Sequence, residues 1–309
     1  MLKKIILYFI AVVVSLVFIF GAYVKLYPIE PFELSFVDTG MVNWFLAPIF
    51  ARILIGLEFL IGIMFLFNIW LKRYTYNFSL IVLSLFILYL IIQIILFGNK
   101  GNCGCFGQFI EMTPLQAIFK NILILGLILI LFKFHKGIDY GKYTRDLFFV
   151  IIVSSFALPF ILNPLSFEYS ETYLNKQKDG YELKLDLLYE NALINQPPKS
   201  LSKGKHIISF LSLTCSHCRI AAKKLRIIHN RNPEISMYFV LNGKEHELEE
   251  FFDDTRSSDI PFCRLKGKFF IELAGAELPV IYLVNNSIVE HSVDYDKVSE
   301  DAIIDWYKE

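Results

Sequence analysis

The sequence predicts a membrane α-helical bundle of four helices plus a fifth linking helix, followed by an α/β domain. Two observations predict it. The 309 residues are 55% hydrophobic and only 19% charged, with a mean hydropathy of +0.50, a balance that soluble domains of this size rarely reach. All the long apolar runs also lie before Pro164, and beyond it charges become frequent and strand and helix patterns alternate. A formal net charge of zero leaves no basic excess for a nucleic-acid partner, so none is expected.

A hydrocarbon core of about 30 Å takes roughly 20 apolar residues to cross as a helix. Ile5 to Tyr23 and Ser79 to Gly98 meet that length without a charge. Trp44 to Trp70 meets it with Arg52 and Glu58 inside, and Met112 to Phe134 with Lys120 inside. Leu147 to Leu162 is shorter and contains Pro159. The "MLKK" start also fits a secretory leader, although the run is long for one and no A-x-A site follows. Either way the second helix enters from outside. The expected domains are 1–135 for the four-helix bundle, 136–164 for a basic cytoplasmic loop and fifth helix, and 165–309 for the α/β part.

Basic residues in short loops set orientation. With a cytoplasmic N-terminus, the inner segments hold Lys3, Lys4, Lys72, Arg73, Lys133, Lys136, Lys142 and Arg145, and the outer loops hold Lys25 and Lys100. That asymmetry predicts a multi-pass inner-membrane protein with Cys103, Cys105 and the whole C-terminal domain in the periplasm or an equivalent disulfide-permissive space.

In the second half, "YELKLDLL" (181–188) alternates as a strand does, and "HIISFLSL" (206–213) is a β-rich run that ends at Cys215 and Cys218. "CRIAAKKLRIIHN" has helical spacing, with Ile220, Leu225 and Ile228 on one face. "SMYFVLNG" reads as a strand, "KEHELEEFFDD" as a helix, "LPVIYLVNNSIVEHSV" as a hairpin turning at Asn285-Asn286, and "DKVSEDAIIDWYKE" as a closing helix. This order, with Cys-Ser-His-Cys at a strand-to-helix junction, resembles the thioredoxin superfamily over Tyr181 to Glu309. A zinc half-site or an inert structural disulfide are the other readings of a C-x-x-C.

The resemblance implies roles. Cys215 at a helix N-terminus becomes the thiolate nucleophile, and Cys218 one turn further in resolves the mixed disulfide. His217 stands where oxidising relatives carry histidine, and Pro279 where the family has its cis-proline. Thr214 replaces the family's tryptophan, Ser216 its glycine or proline, and Ser209 falls where reducing members bury an acid. Cys263 reads as a buried small hydrophobe.

The four helices before Lys136, with Cys103-Gly104-Cys105-Phe106-Gly107 between the third and fourth, resemble the MauE/DoxX-like membrane family. MauE proteins are associated with methylamine utilisation, where a disulfide-rich subunit is matured outside the cytoplasm, so a methylamine metabolic role is implied. The bundle also resembles, in architecture only, DsbB and vitamin K epoxide reductase, which pass electrons from thiols to quinones. Arg52 or Lys120 then becomes a candidate for stabilising a membrane quinone. Structural Glu58–Arg52 or Glu58–Lys120 ion pairs are the alternative.

A disulfide between residues two apart is strained, hence labile, and Gly104 permits the tight backbone. The combined expectation is a membrane-anchored thiol–disulfide oxidoreductase. Its partners are the lipid bilayer and extracytoplasmic protein thiols, with internal exchange between the two cysteine pairs. A maturation scaffold for one client, an outward reductase and a soft-metal chaperone remain as alternatives. The lack of cysteine in the inner segments favours oxidation over outward reduction.

Overall fold

The computed structural model describes residues 2–107, 110, 112–137, 144–165, 180–275 and 277–309. Lys142 and residues 166–179, which join the two halves, lie outside them. The chain divides into two compact units, Met1–Leu165 and Ser166–Glu309.

In the first unit the apolar runs become α1 (Leu2–Val24), α3 (Ala47–Leu66), α4 (Tyr76–Phe97, continuing a π-helical turn over Leu71–Thr75) and α5 (Pro114–Phe134). These four helices are long and apolar enough to cross a bilayer. The fifth, α6 (Thr144–Leu162), has a shorter apolar stretch. Ser15 Oγ donates to the Gly62 carbonyl (2.7 Å), so a polar group of α1 is satisfied by α3 in the interior. Phe18, Ile61, Phe65 and Leu83 fill the space around them. Phe9, Leu85, Ile95 and Phe119 point outward and are exposed, a surface that is stable in lipid.

One short helix was not expected. Glu30–Asp38 forms α2 in the connection between α1 and α3, with Pro31 in its first turn and Phe32, Phe36 and Val37 buried. The pattern is amphipathic but only nine residues long, too brief to stand out beside the apolar runs.

In the second unit, six strands order as β1-β6-β5-β2-β3-β4. They are β1 (Tyr181–Glu182), β2 (Lys205–Ser212), β3 (Met237–Asn242), β4 (Phe262–Arg264), β5 (Val280–Asn285) and β6 (Ile288–Val293). β2, β3 and β4 are parallel, β5 runs antiparallel to β2, and β6 runs antiparallel to β5. Every residue of β2 from His206 to Leu211 is buried, as a central strand covered on both faces requires. Ile220, Leu225 and Ile228 of the helix after β2 are completely buried. A central parallel β–α–β followed by an antiparallel hairpin is the thioredoxin arrangement.

Two local expectations are corrected. The strand expected over 181–188 is confined to Tyr181–Glu182, and Leu185–Asn191 is a helix that buries Leu185 and Leu188. Leu183, Leu185 and Leu187 alternate as a strand would, but Leu185 and Leu188, three apart, share one face of a helix, and β1 pairs with β6 through only two residues at the sheet edge. The hairpin turns at Asn286-Ser287, both at positive φ (50° and 67°), one residue later than the sequence suggested.

Candidate functional site

β2 ends at Ser212, and the helix Ser216–Arg231 starts with Cys215 as its N-cap. The Cys218 backbone N–H donates to Cys215 Sγ (3.4 Å), and the Ser212 N–H donates to Cys218 Sγ (3.3 Å). Cys215 is partly exposed, whereas Cys218 is fully buried and its thiol is pushed far up by that burial. The two sulfurs are therefore set in series, one facing outward and the other behind it. His217 is exposed and stacks on Tyr295 (ring centroids 5.1 Å apart, planes at 28°). Tyr295 is a neighbour that sequence reasoning missed, because it stands 78 residues away on the loop after β6. Buried Lys224 donates to the Tyr295 carbonyl (2.9 Å) and so ties that loop to the helix carrying the cysteines.

The Leu278–Pro279 peptide is cis, directly before β5 and thus beside the end of β2 in the sheet. Ser209 is buried in β2 with no hydrogen-bond partner for its hydroxyl. Cys263 lies in β4, wholly buried among Tyr238, Val240 and Leu265, and burial pushes its thiol up to about 12. An un-ionised thiol without access to solvent is packing material rather than a nucleophile.

In the membrane unit, Cys103 and Cys105 occupy the loop between α4 and α5. A capping box fixes its far end: Thr113 Oγ1 accepts from the Gln116 N–H, and Gln116 Oε1 accepts from the Thr113 N–H (3.0 Å). The Cys103 N–H donates to the Met112 carbonyl (2.8 Å), and the Cys105 N–H to Cys103 Sγ (3.4 Å). Gly104 and Gly107 both have positive φ (73° and 57°). A Cβ on Gly107 would fall 2.3 Å from the Val24 carbonyl oxygen, so no other residue fits there. Both cysteines are buried, 2% and 8% exposed, packed with Leu26, Ile29, Phe32 and Phe36. The helix α2 supplies much of this cover.

The buried charges near the pair find partners other than those expected. Glu58 pairs with Lys25, both carboxylate oxygens 2.6 Å from Nζ, and not with Arg52 or Lys120. Arg52 pairs with Glu33 of α2 (2.6 Å) and donates to the Pro48 and Asn163 carbonyls. The reason is α2 itself, which brings Glu33 over the end of α3, while Lys25 folds back under the loop instead of facing solvent. Lys120 Nζ sits 4.0 Å from the centre of the Phe106 ring.

A small cavity is lined by Lys25, Glu58, Cys105, Phe106, Lys120 and Asn121, among others. It has about 30 Å³ of room for the centres of water molecules, where one water needs roughly 10–15 Å³. Of the two residues expected at a quinone, Lys120 lines this cavity and Arg52 does not.

Comparison with known proteins follows the same division. Residues 3–134 match the family model described as methylamine utilisation protein MauE. The membrane half is MauE-like. Protein TlpB of Flavobacterium psychrophilum is 27% identical over 297 residues, covering 80% of this chain and 80% of that protein. Neither compact unit alone amounts to 80% of the chain, so that likeness runs through the MauE-like half into the α/β unit. Solved structures similar to this chain include a thiol:disulfide interchange protein from Bacteroides sp. (16% identity, 38% of this chain and 84% of that one, TM-score 0.33). The thioredoxin domain of a thiol-disulfide oxidoreductase from Bacteroides vulgatus is another (16% identity, 42% and 94%, TM-score 0.33).

Proposed function

We propose that this protein is a membrane-anchored thiol–disulfide oxidoreductase that forms or matures disulfides in extracytoplasmic proteins. The observation that carries this reading is the Cys215/Cys218 pair, with one sulfur partly exposed at a helix N-terminus and the other buried directly behind it. Such an arrangement suits attack by one thiolate followed by resolution by the second. Client thiols give their electrons to the Cys215–Cys218 disulfide, and the reduced pair passes them to Cys103–Cys105. The basic residues of the inner segments support an N-terminus in the cytoplasm and an α/β unit outside the inner membrane. Tethering raises the effective concentration of one pair for the other to roughly the millimolar range. The MauE match supports a narrower reading, maturation of a methylamine-utilisation client. No step is assigned to a quinone.

An enzyme and a client-specific scaffold differ in turnover. The oxidised full-length protein is expected to oxidise an unrelated dithiol peptide repeatedly when the protein is reoxidised between cycles. Stoichiometric inertness toward that peptide would leave only the scaffold.

A further inference from the structure

Cys103 and Cys105 are adjacent in sequence but not in environment. Cys105 lines the cavity shared by Lys120, Lys25 and Glu58, and Cys103 does not. Lys25 is neutralised by Glu58 at 2.6 Å, which leaves the Lys120 ammonium, held over the Phe106 ring, as the positive group facing that cavity. Tyr89, which packs in the same cluster, donates its hydroxyl to the Ser35 carbonyl (3.0 Å) and adds no charge. On the other side, Cys103 sits against the loop backbone, its N–H on Met112 and its sulfur accepting from the Cys105 N–H.

Building on the relay, we propose that the two sulfurs have fixed roles: Cys103 is the sulfur that exchanges with an incoming thiolate, and Cys105 is the sulfur that leaves, held by Lys120 as a positioning residue. Exchange runs faster when the departing sulfur is the better anion. Once Cys103 is joined to the attacker it has no S–H to donate, so the charges of Lys120 and Lys25 are what favour the departing Cys105 thiolate against the opposing effect of burial.

The step balances without a further reagent. A thiolate attacks Cys103 Sγ, the Cys103–Cys105 bond breaks, and its electron pair stays on Cys105 as a thiolate. When the attacker is Cys215, Cys218 gives up its proton and attacks Cys215 Sγ. The mixed disulfide breaks, Cys103 departs as a thiolate and takes a proton, and Cys215–Cys218 is oxidised. Two electrons have then moved to the loop pair.

The test uses the full-length protein carrying Cys215→Ala and Cys218→Ala, with Cys103 and Cys105 oxidised by diamide, then exposed briefly to excess glutathione and quenched in acid. Fragment mass spectrometry is expected to find glutathione on Cys103 in about tenfold excess over Cys105. Lys120→Met is expected to move that ratio toward one, and Lys120→Arg to preserve it. Equal labelling, a majority on Cys105, or no disulfide after diamide would overturn the assignment. The unsubstituted-lysine protein decides the question even if a Lys120 variant fails to fold. Because glutathione replaces Cys215 here, failure of the internal relay leaves this result standing, and the reverse holds too.

Discussion

Cys215→Ser is expected to lower the rate at which the protein oxidises a dithiol peptide by about a thousandfold or more, with the fold intact. A hydroxyl cannot take part in disulfide exchange, so the question is whether another sulfur can replace Cys215. Cys218 cannot reach a client, because it is completely buried behind the helix N-terminus and burial keeps it as a thiol. Cys263 is sealed in the sheet core. Cys103 and Cys105 lie under the aromatic cover of the membrane unit. Stopped-flow or quenched assays of peptide oxidation measure the loss directly. A variant that keeps even a tenth of the original rate would show that the client meets some other sulfur first.

The second large effect concerns stability. Glu58→Leu is expected to cost about 3–5 kcal/mol, because it leaves the Lys25 ammonium buried without its carboxylate. Lys25→Met/Glu58→Leu is expected to recover most of that loss, since two apolar side chains of similar volume need no counter-ion. The readout is the denaturation midpoint of the full-length protein in detergent micelles. Equal stability of Glu58→Leu and the unsubstituted protein would mean that the pair is not held in the interior.

Much of the architecture was written in simple patterns. The apolar runs gave the helices because nothing but lipid or a core accepts such stretches, and the strand-Cys-helix junction gave the α/β frame. Contacts between distant segments were harder to read. Arg52, Glu58 and Lys120 inside the spans allow several pairings, and sequence alone favoured Arg52 or Lys120 as the partner of Glu58. The actual partner of Arg52 is Glu33, on a short helix hidden in a loop, and the partner of Glu58 is Lys25, which sits just past the end of α1. The burial of Cys103 and Cys105 was equally hidden. Phe32, Phe36 and Phe106 in the connections between the apolar runs were the available signal, since aromatic residues in a loop need something to cover. Tyr295 beside His217 had no local signal at all.

That burial constrains the relay. With Cys103 only 2% exposed, exchange with any thiolate requires part of the cover to move away. The segment containing α2 lies over the pair and is held to α3 by the Glu33–Arg52 ion pair and by the packing of Phe36 on Phe50.

The relay between the two sulfur pairs is tested most directly by trapping. The full-length Cys218→Ala protein cannot resolve a mixed disulfide, so digestion and mass spectrometry of the non-reduced protein should recover Cys215 joined to Cys103 within one chain. Recovery of Cys215 joined only to foreign proteins, with Cys103 and Cys105 never bound to it, would contradict the relay.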